Sequence, residues 1–224
     1  MNLLALDTST ESCSVALLRG DALAFREVRA GQRHSELILP MIAELLAEVD
    51  FKLARLDGIA FGAGPGSFTG LRIACGVAQG LALGAGLPVV PVGTLAALAE
   101  ESGAERALAC IDARMGELYH AAYQRSGGEW TQVAPPAVGN VASLPMLDGE
   151  GWVGCGSGFL AHGPGIERRY GAQLARVEAD LHPHARAIAR LAKPVLLAGG
   201  GLAAEQAMPL YVRDKVALKM HEQR

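Results

Sequence analysis

Runs of apolar residues in the first third of the chain predict three strands followed by an amphipathic helix. Asn2–Leu6 is continuously apolar, which is typical of a strand covered on both faces. Cys13–Leu18 and Ala22–Arg29 predict two further strands joined by a tight turn at Gly20-Asp21. From Ser35 to Val49 apolar residues recur at one-turn spacing, so we expect a helix with one buried stripe.

A glycine-rich turn joins the next strand to the next helix. We predict a strand at Leu56–Phe61, and the segment GAGPGS at 62–67 follows it. Ser67 is a suitable N-cap for a helix that runs to about Gly84. Backbone N–H groups at such a helix start can hold an anion, but the spacing matches neither a P-loop nor a GxGxxG fingerprint. The pattern therefore favours a structural turn over a phosphate cradle.

This second helix carries small residues in two rows. The rows are Gly76, Gly80 and Gly84, and beside them Ala74, Ala78 and Ala82. Each interior glycine costs the helix about 1 kcal/mol relative to alanine, so a repeated row is expected where another backbone approaches closely. Two alternatives fit equally well. The row packs on the protein's own sheet or on the Ser35–Val49 helix, or it packs against another subunit.

The second half of the chain repeats the opening pattern. Leu3–Leu18 and Leu108–Tyr123 each contain an apolar strand that ends in aspartate, a short polar turn and a second strand. Asp7 and Asp112 occupy the same place in this pattern, which indicates an internal duplication. We therefore predict an α/β fold with mixed sheets flanked by helices, in an N-terminal lobe of residues 1–104 and a C-terminal lobe of residues 105–224. Two such lobes suggest the actin-like ATPase (ASKHA, RNase H-like) fold with a degenerate second lobe.

The remaining segments give weaker signals. A short strand at Pro88–Val92 and a helix at Thr94–Glu101 complete the first lobe, whereas Ser126–Gly151 is rich in glycine and proline and shows little periodicity. Beyond it we predict a strand and its turn in Gly151–Gly158. Helices are predicted at Ile166–Tyr170 and Ala185–Leu191, and an irregular tail from Gly199.

Asp7 and Asp112 are the candidate acid pair. Carboxylates at strand ends bind metal–nucleotide complexes or act as general bases. The turn after Asp7 offers hydroxyl groups but no glycine or lysine to hold phosphate, and Asp112 is followed by an arginine but by no second acid. Capping of a turn is the alternative role for both residues, and it is favoured at Asp112.

Composition and charge narrow the classes of function. The 224 residues carry a formal net charge of −3, which argues against a dominant electrostatic grip on nucleic acid. None of the six histidines forms HxxxH or HExxH, and the four cysteines contain no CxxC pair, so a zinc site is not expected. The N-terminus lacks a signal-peptide pattern and no apolar run is long enough for a membrane span, so we expect a soluble cytoplasmic protein with no membrane partner.

Five segments resemble one family in their order and spacing. They are LALDTST at 4–10, QRHSELILPMI at 32–42, GPGSFTGLRI at 64–73, IDARMGELY at 111–119 and PLYVRDKVA at 209–217. Together they resemble the TsaB family, also called YeaZ, of the TsaD-like (glycoprotease M22-type) superfamily. The resemblance covers essentially the whole chain, and GPGSFTGLR is far more specific than a generic glycine loop.

The resemblance implies a non-catalytic partner of TsaD, the subunit that transfers a threonylcarbamoyl group to adenosine in ANN-decoding tRNAs. In TsaD an HxxxH pair after the glycine-rich helix holds the active-site metal, and the corresponding places here are Thr94 and Leu98. We therefore expect no catalytic residue and no metal site in this chain. The helices at about Ser35–Val49 and Ser67–Gly84 are implied to pair with TsaD, or with a second copy of the chain in a homodimer, and the ATPase TsaE is implied to join that pair.

Two groups of site residues follow from the resemblance. The implied partner interface comprises Leu37, Met41, Leu45, Ile73, Gly76, Val77, Gly80 and Gly84. The residues implied to lie near a nucleotide are Asp7, Thr8, Ser9, Gly64, Gly66 and Ser67. The chain is expected to need no cofactor of its own, with ATP or ADP near the heteromeric interface, and to meet tRNA only through the complex.

Two other classes of function stay open as alternatives. The first is an enzyme, either metallopeptidase-like or kinase-like, of the actin-like fold, which requires a bound metal or tight ATP binding by the isolated chain. The second is direct tRNA binding, which predicts a steep dependence on salt and is opposed by the negative net charge.

Overall fold

Two five-stranded sheets of the same design form the frame of the protein, in a computed structural model that describes residues 1–213. The first contains β1 (Asn2–Asp7), β2 (Ser12–Arg19), β3 (Ala22–Arg29), β4 (Gly58–Gly64) and β5 (Val89–Gly93), in the order β3-β2-β1-β4-β5. The second contains β6 (Arg106–Arg114), β7 (Glu117–Ser126), β8 (Glu129–Gly139), β9 (Trp152–Cys155) and β10 (Leu174–Glu178), in the order β8-β7-β6-β9-β10. In each sheet the first three strands pair antiparallel and the last two pair parallel. The shared order confirms the internal duplication.

Helices cover both faces of each sheet. On the first sheet, α1 (His34–Glu48) and α2 (Phe68–Ala85) pack on one face and α5 (Ala185–Leu197) on the other. On the second sheet, α3 (Thr94–Glu101) packs on one face and α4 (Gly158–Tyr170) on the opposite face. The predicted lobe boundary at 104/105 falls in the link between α3 and β6. Packing crosses that boundary, because α5 comes from the C-terminal half and covers the N-terminal sheet.

Strand β1 shows why the first apolar run contains no polar positions. Leu4 and Leu6 point into the core beneath α1 and α2, whereas Leu3 and Ala5 point into the core beneath α5. Since successive side chains of a strand alternate between the two faces, a sheet covered on both sides needs apolar residues at every position.

The predicted elements of the first lobe are confirmed to within three residues. Ser67 caps α2 as predicted, since its side-chain oxygen accepts a hydrogen bond from the Gly70 N–H at 3.3 Å. Gly86, with φ of 65°, ends the helix in a left-handed conformation that glycine adopts without steric cost. Pro40 lies inside α1 rather than at its start, so the helix tolerates one missing backbone hydrogen bond on its exposed side.

The predictions for the second lobe are partly wrong. The segment predicted as irregular contains the long strand β8, which lies at the edge of its sheet, where Pro135 and Pro136 are tolerated because one side of the strand needs no partner. Helix α4 begins at Gly158, well before the predicted start, because burial of Phe159 and Ile166 outweighs the weak helix propensity of its glycines and proline. Strand β10 was missed altogether.

One element of the first lobe has no helical counterpart in the second. In the first lobe, α1 connects the third strand of the sheet to the fourth. At the equivalent place in the second lobe, between β8 and β9, there is a single 3-10 turn at Val141–Ser143. The second lobe therefore keeps the complete sheet and loses an outer helix.

The C-terminal tail returns to the first lobe. Leu202 pairs with Val89 through two backbone hydrogen bonds, and the Leu210 N–H donates to the Ala63 carbonyl oxygen at 2.7 Å. The last four residues of the PLYVRDKVA segment, 214–217, lie outside the described residues.

Candidate functional site: a glycine face and a closed acidic turn

The two rows of small residues on α2 point in opposite directions. Ala74, Ala78 and Ala82 are fully buried against the first sheet. Gly76, Gly80 and Gly84, called the glycine row below, are exposed, and a Cβ added at any of them meets no described atom within 4 Å. Packing of the glycine row on the chain's own sheet or on α1 is therefore ruled out for the described residues. An outward surface is the alternative that fits.

Partly exposed apolar side chains flank the glycine row. Leu37 on α1 and Ile73 and Val77 on α2 rest on the core with one side and reach the surface with the other. We call these three residues and the glycine row together the glycine face. Leu83 extends it further, with 73% of its surface exposed, and sequence reasoning missed it. Its position in the sequence could have identified it, because Leu83 stands between Gly80 and Gly84 of the exposed row and not on the buried stripe of the helix.

Two residues predicted for the partner interface require correction. Met41 and Leu45 are 8% and 1% exposed, and both belong to the core between α1 and the first sheet. Their regular spacing on α1 marks the buried stripe of an amphipathic helix, and such a stripe is used up by packing within the chain. They cannot contact a partner in this arrangement of α1.

Replacing Leu45 with alanine is expected to lower the free energy of unfolding by about 2–5 kcal/mol, because it opens a cavity in the first-lobe core. Leu39→Ala on the same helix removes a half-exposed side chain and should change the free energy of unfolding by no more than about 0.5 kcal/mol. Urea unfolding of the two variants checks this. Equal stability of Leu45→Ala and the unmodified chain would return Leu45 to the set of surface residues.

The structure brings the six predicted nucleotide-proximal residues together where the turn after β1 packs against the segment before α2. We call the turn that contains Asp7, Thr8 and Ser9 the acidic turn. Thr8 donates its hydroxyl proton to the Gly70 carbonyl oxygen at 2.7 Å, and the Ser67 N–H donates to the Ser9 carbonyl oxygen at 2.7 Å. Asp7, Thr8 and Ser9 are all at least 99% buried. The polar groups of this acidic turn therefore satisfy one another and bind the end of β1 to the start of α2.

The glycines in the turn serve this contact. A Cβ at Gly66 would overlap the Ser9 carbonyl oxygen, one at Gly70 would overlap the Thr8 carbonyl oxygen, and one at Gly64 would overlap the Leu210 carbonyl oxygen. These glycines are needed because other parts of the chain approach them closely. That agrees with the structural turn favoured from the sequence, and the location of a nucleotide nearby stays a prediction.

Asp7 is a buried carboxyl group with few partners. Burial raises the pKa of Asp7 from its ordinary value of 3.8 to about 7, and hydrogen bonds from the Ser9 N–H and hydroxyl oppose the rise. The distances from Asp7 Oδ1 are 3.1 Å to the Ser9 nitrogen and 2.8 Å to the Ser9 hydroxyl. The nearby charge of Glu27 adds to the rise in pKa. Near neutral pH this group therefore exchanges between a neutral and a charged form.

Asp7 should make stability fall as pH rises. Between pH 4 and the folded pKa of about 7 the unfolded chain releases the Asp7 proton while the folded chain holds it, so its contribution is greatest at low pH and is lost toward pH 7. At about 1.4 kcal/mol per pH unit, the loss reaches about 4 kcal/mol. In Asp7→Asn, which keeps the shape and the Ser9 bond, this fall should disappear. Urea unfolding of both chains between pH 4.5 and 8 tests it, and parallel stability curves would contradict it.

Asp112 caps its turn, as favoured from the sequence. Asp112 Oδ1 accepts a hydrogen bond from the Arg114 N–H at 3.0 Å, and its other oxygen pairs with the Arg114 guanidinium at 3.4 Å. Arg114 also reaches Glu11 of the first lobe at 3.3 Å. The two acidic turns therefore differ: the first is buried, whereas in the second the exposed Arg114 links the half-buried Asp112 to Glu11 of the first lobe.

Comparison with known proteins identifies the family. Residues 28–219 match the family model of TsaD, the tRNA N6-adenosine threonylcarbamoyltransferase. The tRNA threonylcarbamoyladenosine biosynthesis protein TsaB of Escherichia coli K12 is 40% identical over 229 residues, which covers 98% of this chain and 97% of that protein. The chain belongs to the TsaB family. The TsaB protein of Haemophilus influenzae is 38% identical, with 98% of this chain and 96% of that protein covered.

Solved structures of the TsaB family share the fold. YeaZ from Pseudomonas aeruginosa is 42% identical, with a TM-score of 0.85 over 94% of this chain and 99% of that chain. A second Pseudomonas aeruginosa structure, described as similar to peptidase YEAZ, has a TM-score of 0.87 and 42% identity over 95% of this chain and 99% of that chain. The TsaD family model and these neighbours agree with the predicted actin-like fold.

The two positions that correspond to the metal-binding histidines of TsaD lie in the core of this chain. Thr94 and Leu98 are both fully buried, at the start and in the middle of α3. Within residues 1–213, no group of three or more histidine, cysteine, aspartate or glutamate side chains could hold a metal ion.

Helix α2 is long and apolar enough to match a membrane span by length and composition. Arg72 and Gln79 lie on it, and the alanine row packs on the first sheet. These features are those of a helix that covers a sheet, and they account for its composition without a membrane.

Proposed function

We propose that this chain is a non-catalytic partner subunit in tRNA threonylcarbamoyladenosine biosynthesis, which pairs with the catalytic subunit TsaD and activates it. The observation that carries the proposal is the glycine row, open and facing outward along α2. We further propose that the ATPase TsaE joins the pair, as the family resemblance implies.

Energetics favour an interface role for the glycine row. Three glycines in a helix interior cost about 1 kcal/mol each relative to alanine. Because the described residues place nothing against them, this cost brings no benefit to the isolated chain. A helix of a partner that lies across the row would recover it, since small residues let two backbones approach and pack over a long contact.

We also propose that this chain has no catalytic activity of its own. It is supported by the burial of Thr94 and Leu98 in the α3 core, and by the engagement of the Asp7 turn in contacts within the chain. On this proposal the chain needs no cofactor of its own, and ATP or ADP binds near the interface with TsaD. The same face serves a second copy of the chain when TsaD is absent. The protein acts in the cytoplasm and meets tRNA only in the complex.

Reconstitution tests the proposed function. The purified chain is mixed with TsaD and TsaE, with and without ATP, and the masses of the assemblies are measured by native mass spectrometry. Threonylcarbamoyl transfer to tRNA is measured in parallel. A complex that contains TsaD, together with transfer that depends on this chain, is the expected result. Full transfer by TsaD and TsaE without this chain would refute the proposed role.

The enzyme alternative predicts a different result with the chain alone. It is raised by one Pseudomonas aeruginosa neighbour, which is described as similar to a peptidase. On our proposal, metal analysis and ATP calorimetry on the isolated protein should detect neither a stoichiometric metal nor tight ATP binding. Stoichiometric metal accompanied by peptide hydrolysis or phosphoryl transfer would favour the metallopeptidase-like or kinase-like alternative.

A further inference from the structure

A stacked cluster of side chains lies at the N-terminal end of α2. The Arg72 guanidinium carbon is 3.5 Å from the centre of the Phe68 ring, and Arg72 Nε–H donates to the Tyr211 hydroxyl oxygen at 3.0 Å. The two rings lie 5.8 Å apart. All three side chains reach the surface. We call Phe68, Arg72 and Tyr211 the Arg72 cluster.

The chain on both sides of Tyr211 is anchored. The Leu210 N–H donates to the Ala63 carbonyl oxygen at 2.7 Å, in the first lobe. Arg213 donates to the Ala113 carbonyl oxygen at 3.3 Å and pairs with Glu117, in the second lobe. Tyr211 is therefore held in place from two directions, and its hydroxyl group fixes the plane of the Arg72 guanidinium.

The outer edge of this guanidinium has no partner among residues 1–213. By contrast, Arg26, Arg114 and Lys193 each pair with a carboxylate of the chain. Arg72 uses Nε and one face of its plane within the chain, which leaves the terminal Nη groups as donors. Two parallel N–H donors in a fixed plane match the two oxygens of a carboxylate.

We propose that the Arg72 cluster receives an aspartate or glutamate side chain of the protein that packs on the glycine face. This inference rests on the pairing proposed above and adds the chemistry of one contact within it. Arg72 lies four residues before Gly76, one helical turn along the same exposed side of α2, so one partner surface can cover both the cluster and the glycine face. Aromatic residues and arginine are also the side chains that contribute most to binding at protein interfaces.

A free phosphate or nucleotide fits this cluster less well. A phosphate site at a helix start uses several free backbone N–H groups, and two of the groups here are taken, because the Ser67 N–H donates to the Ser9 carbonyl oxygen and the Gly70 N–H donates to the Ser67 side chain. A phosphate would be left with Arg72 and the N–H groups of Phe68 and Thr69. A carboxylate needs only the two Nη donors, and the protein that carries it supplies the apolar surface for Phe68 and Tyr211.

Binding of TsaD to variants of this chain tests the assignment, with the dissociation constant measured by calorimetry. A hydrogen-bonded ion pair at an interface predicts that Arg72→Ala weakens binding about 10- to 100-fold. Arg72→Lys keeps the charge but loses the paired donors, so it should recover little of this loss. Tyr211→Phe keeps the ring and removes the bond that orients Arg72, and should weaken binding about 3- to 10-fold. Arg168→Ala, at an exposed arginine of α4, is the control and should bind normally.

The decisive experiment reverses the charges on the two proteins. Arg72→Glu should bind worse than Arg72→Ala, and one aspartate- or glutamate-to-arginine change on the α2-facing surface of TsaD should restore binding. If Arg72→Ala binds TsaD as tightly as the unmodified chain, this inference is wrong and the pairing stands. If the unmodified chain does not bind TsaD, the proposed function fails first. Loss of ATP binding in Arg72→Ala, with TsaD binding unchanged, would show a phosphate contact and overturn the carboxylate assignment.

Discussion

Gly80→Leu is expected to abolish pairing with TsaD while the chain stays folded and gains stability. Gly80 is exposed in the middle of the glycine row, and an added side chain meets no described atom of the chain. Leucine is the better helix former, so the free energy of unfolding should rise by about 1 kcal/mol. In the complex the same side chain would hold the two backbones apart along the whole row. We expect binding to weaken at least about 100-fold, which is about 2.7 kcal/mol.

Three measurements together make this result specific. Urea unfolding gives the stability, calorimetry gives the affinity for TsaD, and tRNA modification gives the activity of the complex. Ala161→Leu, at an exposed position of α4, adds bulk to the other lobe and should leave all three nearly unchanged. Gly80→Ala should show a smaller loss of affinity than Gly80→Leu. A Gly80→Leu chain that binds TsaD and supports modification at the full rate would refute the interface role of the glycine face.

Gly70→Ala is expected to destabilise the chain strongly, although it too replaces a glycine in α2 with a better helix former. An added Cβ at Gly70 would overlap the carbonyl oxygen of Thr8, and the Thr8 hydroxyl group is itself bound to the Gly70 carbonyl. Both sides of this contact are backbone, so neither can move without separating β1 from α2. We expect a loss of about 3 kcal/mol or more in the free energy of unfolding.

Gly76→Ala on the same helix is the matched control for Gly70→Ala. It makes the same chemical change at an open position, so its unfolding free energy should rise by about 1 kcal/mol. If the two substitutions change the free energy of unfolding in opposite directions, one side of α2 is closed by the acidic turn and the other side is open. Urea unfolding measures both changes. If both variants were stabilised, the contact between Thr8 and Gly70 would be refuted.

Local sequence signals predicted the first lobe well. The apolar run of β1 and the Ser67 cap act through residues that are close neighbours in the chain. The second lobe was harder, because β8 and α4 contain prolines and glycines that lower local propensity. Their structure is maintained by contacts such as Phe159 and Ile166 in the core, which local pattern does not show.

The candidate site divides in the same way. Sequence spacing found the two rows of α2, but it left open which row faced outward, because either orientation satisfies a helical period. It also placed Met41 and Leu45 at the interface, since a stripe on a helix looks the same whether a sheet of the same chain or a partner covers it. Burial in the folded chain decided both questions.

The sequence by itself determined the strands and helices of the first lobe, the duplication marked by Asp7 and Asp112, and the family. These depend on short-range periodicity, capping residues and motifs. Only the tertiary structure decided that the acidic turn is closed, that the glycine row is open, and that Tyr211 orients Arg72. The physical reason is distance along the chain: Thr8 meets Gly70 across 62 positions and Arg72 meets Tyr211 across 139. Contacts of that span exist only after the chain has packed.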